Sequence, residues 1–261
     1  MRILISEWIK TKRTPVKWIS LLTPVVFAVL IVWYFSFRTI TADTQISIFQ
    51  AFFEVWTALV IPFGAGLISG IMIHQEELAG NFNGFLSNNL PRRNLYLGKL
   101  IMLILMASIS TILAVVVLLA GAGYVLHISI SWQVFVIAAI LALAGTLPLL
   151  AFHLWISFAW GMGASIGIGG IGILLSALMA TSLGDKIWHF VPWAWPVRLS
   201  GLAGVYLLYL PDMKLPPEII SSVFIQKQAV KGIIPAVILF FVLLAGSLIW
   251  FNKWEGRKIT D

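Results

Sequence analysis

The chain has no cysteine and very little charge. Without cysteine there is no disulfide framework, no thiolate metal site and no thiol nucleophile. Its 17 Lys+Arg and 10 Asp+Glu make up 10% of 261 residues, under half the share of an ordinary soluble domain. So few charges cannot cover a water-exposed surface of this size. What is present is apolar: 60% of residues are hydrophobic, with 12 Trp and 17 Phe, and mean hydropathy is +1.00. Most of the chain must face lipid or other membrane helices. In such a chain a net charge of +7 reads as charge sorted by membrane side rather than as a nucleic-acid footprint.

A spanning helix needs about 20 apolar residues. Stretches without Asp, Glu, Lys or Arg run from Trp18 to Phe37, Val55 to Ile73 and Gly232 to Asn252, and one of 85 residues from Leu100 to Gly184. The long one holds three crossings. It is broken at Gly121-Ala-Gly123 with His127 to Ser131, and at Trp160-Gly-Met-Gly163. The expectation is six spans near 18–37, 55–73, 100–122, 132–158, 164–183 and 233–251, in one all-α integral membrane domain covering 1–261. A cleaved signal peptide competes for the first span, but the run is too long for a signal core and no small-residue cleavage site follows.

Six crossings put both termini on one side, and the basic residues name it. Eleven of the 17, from Arg2 through Lys17, Arg92 through Lys99 and Lys253 through Lys258, fall in short segments on one face. That face should be cytoplasmic. Residues 2–13 place Leu4, Ile5, Trp8 and Ile9 on one helical side, as in an interfacial helix; a basic tail without defined structure is the plainer reading. Residues 185–231 form a segment too long for a connector and too apolar for a soluble domain. Trp188, Trp193 and Trp195 have the location of substrate-facing residues, or simply of an interfacial aromatic belt. Around 199–210 we expect one or two short helices dipping into the outer leaflet, stopped by Pro211, Pro216 and Pro217.

Nucleotide chemistry is missing. Gly98-Lys99 lacks the upstream glycine and the hydroxyl of a phosphate-cradling loop, and no H-E-x-x-H occurs. Gly163-Ala-Ser-Ile-Gly-Ile-Gly169 sits in a hydrophobic span and reads as helix packing, like Gly66 to Gly70. His153 is the one ionisable group well inside a span, and its bland role is a hydrogen bond to a neighbouring helix. The polar stretch 74–99 carries acids first, then a short amphipathic piece with Phe82 and Phe85, then Pro91-Arg92-Arg93. It suits a helix that docks two aromatic knobs in a partner's groove, or a solvated loop touching the membrane surface. A membrane protein without an energy source but with a docking loop points to a permease worked by a separate ATPase.

The order Glu76-Glu77-Leu-Ala-Gly80-Asn81-Phe82, Leu86, Pro91-Arg92-Arg93 and Tyr96-Leu-Gly-Lys99 resembles the loop between spans two and three of ABC-2-type transporter permeases. The arginine directly after the proline departs from the family pattern. Ala79 to Phe82, Glu7, Lys10 to Arg13, and Pro192 to Arg198 look like the lantibiotic self-immunity branch. The resemblance implies a six-helix permease subunit paired with itself or a related permease. Two copies of an ABC ATPase would supply ATP and Mg, with no cofactor or metal in this chain. Glu76, Glu77, Gly80, Asn81, Phe82, Phe85, Leu86, Pro91, Arg92 and Arg93 would form the ATPase-coupling element, and 185–231 the outer cap. The task implied is to expel a lantibiotic-like peptide from the bacterial cell membrane. Export of another drug, lipid or glycan stays open, as does a non-transporting scaffold or sensor.

Overall fold

The computed structural model describes residues 2–12, 14–41, 43–87, 90–208 and 222–257, and all their regular structure is helical. The helices are α1 (Arg2–Lys12), α2 (Pro15–Ser36), α3 (Thr44–Val55), α4 (Ile61–Leu78), α5 (Asn83–Leu86), α6 (Arg92–Tyr124), α7 (Trp132–Ala180), α8 (Trp195–Gly204) and α9 (Ser222–Asn252). A π-helical turn, Trp56–Val60, joins α3 to α4 without a break. Five of these continuous rods are long and apolar enough to cross a membrane.

The fourth, α7, has 49 residues, about 73 Å if straight and twice what a bilayer requires. It is not straight. Gly161 has φ +88° and ψ −178°, a conformation that only glycine adopts readily, and the helix doubles back there. His153 and Ser165 lie 12 residues apart, about 18 Å along one helix, yet His153 Nδ1 and Ser165 Oγ are 3.2 Å apart. The two arms, 132–160 and 162–180, are therefore antiparallel neighbours. The break expected at 160–163 is present, and it divides the fourth of the five long rods into two arms.

Several boundaries differ from expectation because membrane thickness does not limit a helix. Span two begins at Thr44 rather than near 55, because Phe49, Phe52 and Phe53 are buried and hold α3 against the bundle. Pro91 opens α6, so Arg92 and Arg93 start span three instead of closing a loop. Span six likewise begins earlier, at Ser222.

The two ends of the bundle differ. The basic end carries α1, the turn around α5, Gly161 and the segment 253–257. The cap end carries the segment between α7 and α9. After Ala180 the chain re-enters the bundle. Gly145 lies about 20 Å along α7 from Trp132, and a Cβ there would stand 2.7 Å from Pro196 N and 2.8 Å from Trp195 C. α8 then climbs back, with Leu199 and Ala203 buried. Non-helical backbone at such depth survives only when protein surrounds it, and here both arms of α7 and α9 do so. The expected short re-entrant element is thus present, starting at Trp195; the part of that expectation beyond Leu208, with Pro211, Pro216 and Pro217, falls outside the described residues.

Candidate functional site

The polar residues of the basic end converge on one point. Lys99, seven residues into α6, turns its ammonium inward and lies 2.5 Å from Glu7 Oε2 of α1 and 2.5 Å from Glu76 Oε1 of α4. Lys10 closes the ring, 3.1 Å from Glu7 Oε1 and 2.6 Å from Glu76 Oε1. Lys99 is 2% exposed, Glu7 5% and Glu76 8%. Two acids and two bases balance in a site mostly closed to water. Removing one partner of such a set leaves an uncompensated charge, which is why buried pairs are costly to break. The clamp binds the interfacial helix to the ends of spans two and three. Burial opposes the charge on Lys10, but the hydrogen bonds and charges of Glu76 and Glu7 outweigh it and hold its pKa above the ordinary lysine value.

The turn after α4 is shaped by three consecutive left-handed residues. Gly80 has φ +112°, Asn81 +51° and Phe82 +65°. Glycine is suited to this, asparagine tolerates it, and a phenylalanine there is strained. Backbone bonds from Asn81 N–H to Glu77 O (2.7 Å) and Phe82 N–H to Glu76 O (3.2 Å) hold the turn. The burial of the Phe82 ring offsets the strain. It packs 4.9 Å from Trp254 and 6.5 Å from Phe158, and the Phe85 ring lies 6.1 Å from Phe158 and 6.3 Å from Phe251. The ammonium groups of Lys10 and Lys99 stand 5.7 and 5.6 Å from the Phe85 ring centre, within cation–π range.

These positions correct the picture of two aromatic knobs. Phe82 and Phe85 point into this chain, not outward, because their rings close with those of Tyr96, Phe158, Phe251 and Trp254 below the turn. Glu76 belongs to the clamp for the same reason. The exposed surface of the turn is instead Leu78 (73% exposed) together with Gly80, Asn81, Asn83, Gly84, Leu90, Pro91 and Arg93. Leu86 is half-buried. Glu77 pairs with Arg257 at 2.5 Å and with His74 at 3.1 Å, and Arg92 donates to the Trp254 carbonyl. Segment 253–257 thus fastens the turn, and the Arg257 side chain reaches the Gly161 bend.

At the cap end the tryptophans are mainly structural. Trp188 and Trp195 are buried; Trp195 Nε1 donates to His189 O at 3.1 Å. Trp193 is half-buried, its ring 5.9 Å from Phe152 and its carbonyl accepting from Ser176 Oγ at 2.7 Å. Trp188 and Trp195 are thus turned into the protein. The most exposed aromatics here include Phe37, Tyr124, Trp132 and Phe190, each at a helix end or connection, where hydropathy alone does not single them out. Arg198 donates to the carbonyls of Met179 and Thr181, both at 2.6 Å, satisfying the C-terminal end of α7, and pairs with Asp185 at 2.9 Å.

A family model for ABC-2 family transporter proteins matches residues 3–176. That stretch runs from α1 through the clamp and the Gly161 bend. The chain belongs to the ABC-2 transporter family. No curated protein and no solved structure matches it. As an ABC-2 permease it is a multi-pass membrane subunit of an ABC transporter, and its partner by family is an ABC ATPase. Within the ABC-2 match lie all four residues of the clamp, Glu7, Lys10, Glu76 and Lys99.

Proposed function

We propose that this permease couples ATP hydrolysis in a separate ATPase to removal of a cationic, amphipathic lantibiotic-like peptide from the bacterial cell membrane, giving a producer immunity to its own product. In this reading both termini are cytoplasmic, two ATPase copies carry ATP and Mg, and the permease pairs with itself or a related subunit. The observation that carries the coupling half is the Glu7–Lys10–Glu76–Lys99 clamp: a push on the turn between spans two and three reaches α1, α4 and α6 together. The ATPase contact is then the exposed rim of the turn, led by Leu78. The cargo half rests on the resemblance of Ala79 to Phe82 to the immunity branch and on the exposed aromatics at the cap end, where a peptide lying in the outer leaflet would arrive.

The coupling half is tested with Leu78→Asp combined with Asn83→Arg in the assembled transporter. Surface changes of this kind cost little stability, so the complex should lose ATPase association and stimulated hydrolysis with its melting temperature unchanged. Full stimulation in that double variant refutes the docking surface. The cargo half is tested by challenging cells that carry the permease with its ATPase against a panel of lanthipeptides and unrelated antibiotics. Protection confined to lanthipeptides supports immunity. Protection against an unrelated drug alone points to the other export reading, and protection that survives an ATPase-dead partner points to a scaffold or sensor.

A further inference from the structure

We propose that the bundle holds one acyl chain of a membrane glycerolipid in a cavity beside the π-helical turn of span two, with Ser20 donating a hydrogen bond to the ester carbonyl of that chain. The cavity has a volume of about 210 Å³ and is walled by α2, the π-helical turn with α4, α6 and the first arm of α7. Apolar cavities of roughly 150 Å³ stay dry and accept a benzene-sized ligand, so there is room for a length of alkyl chain. The π-helical turn widens the span there: Ile61 N–H reaches back five residues to Trp56 O, and Trp56 swings toward α6, where its Nε1 donates to Thr111 Oγ1 at 3.2 Å. Such single wide turns cluster at functional sites.

The walls are mainly apolar. Water needs two to four polar partners, and of the five hydroxyls there two, Thr111 and Thr146, are engaged by protein. Thr111 accepts from Trp56, and Thr146 Oγ1 donates to Ala142 O at 2.7 Å. Of the other three, Thr23 is exposed and Ser110 half-buried, while Ser20 is 1% exposed with no partner for its Oγ among the described residues. It stands one turn and a half into α2, about 8 Å from its start at the basic end, the depth of lipid esters. Thr111, in the far wall, is about 28 Å along α6 from that end, within hydrocarbon. Between them a Cβ on Gly64 would meet nothing within 4 Å, and Leu59 and Phe63 are exposed at the rim. The fluid outside that rim is lipid, so a chain enters sideways from the leaflet at the basic end with its ester beside Ser20. The site is independent of the exporter's cargo.

The full chain in nanodiscs doped with a phospholipid carrying a diazirine in mid-acyl position tests this by photolysis and peptide mapping. Adducts within 56–64 and 103–111 should exceed those at the exposed Ile112 and Val116 at least fivefold. Gly64→Phe, which fills the cavity, should cut the cavity adducts at least fivefold and leave Ile112 and Val116 labelling unchanged. If that variant does not insert, Ala107→Leu fills the opposite wall and must give the same result. Uniform labelling, or cavity labelling indifferent to both fillings, overturns the site. Ser20→Ala should lower capture of the ester-linked probe about threefold and leave an ether-linked probe unaffected. An equal effect on both probes overturns the role of the serine.

Discussion

At the basic end, three helices meet through three buried charges, the more exposed Lys10 and a cage of aromatic rings. At the cap end, a re-entrant segment is held by close backbone contact at Gly145, by Arg198 on the last carbonyls of α7, and by buried tryptophans. Both arrangements close polar groups inside a membrane bundle, side chains at one end and non-helical backbone at the other, yet they do so by opposite means. The basic end spends charge on charge, in a geometry where no partner can be lost without stranding another. The cap end relies on shape, where a small residue lets one backbone lie against another. Ion pairs with two-sided contacts hold their helices as one body, whereas packed surfaces can part without leaving a bare charge behind.

The contrast can be broken most strongly at Lys99. Lys99→Met leaves Glu7 and Glu76 with only Lys10 between them, and should cost about 3–5 kcal/mol. Thermal unfolding in detergent would show this as a large fall in Tm or as loss of folded protein. A change under 1 kcal/mol would mean that water reaches the clamp and that the two ends do not differ in kind. Next is the cap. Gly145→Val drives a side chain into Trp195 and Pro196 and should cost about 1–3 kcal/mol as an overpacking change. Limited proteolysis should then accelerate within 185–208 while the segment 76–99 stays protected. Equal acceleration at both ends would show that they are one cooperative unit.

Gly161→Ala should cost about 1–3 kcal/mol, because its φ of +88° is strained for any other residue and Arg257 occupies the space. Gly163→Ala, whose Cβ would meet nothing within 4 Å, should stay within about 0.5 kcal/mol; similar losses at both would remove the hairpin turn from Gly161. The smallest effect is electrostatic. Lys10 has a raised pKa in the folded chain, so its stabilising share is complete below the ordinary lysine value and fades as pH rises through and beyond it. Because Lys10 is partly exposed, screening keeps that share small. Tm measured between pH 8 and 11.5 should fall less at the alkaline end in Lys10→Met than in the unaltered chain, and identical slopes would take Lys10 out of the clamp.

Much of the bundle was legible because hydrocarbon admits so few options. A run of 85 uncharged residues has to cross three times, and the glycines at 161 and 163 mark where it can turn. Glu7 and Glu76 could be noticed as family-like positions, but not as partners. Glu7 and Lys99 are 92 positions apart, and no periodicity encodes such a pairing. Phe82 and Phe85 were misread for a related reason. An amphipathic turn shows that it has an apolar face, and only the neighbouring chain decides whether that face looks inward or toward a partner.

By its own composition and charge order, then, the chain determined that it is a multi-pass helical membrane bundle with its basic segments gathered at one end, since the cost of placing charge in lipid leaves little else. The tertiary structure alone decided which charges neutralise each other, which aromatics are core, where span two widens into a π-helical turn, and how deep the cap descends. Those outcomes depend on contacts between residues distant in sequence, whose energies come from burial and geometry that no local pattern carries.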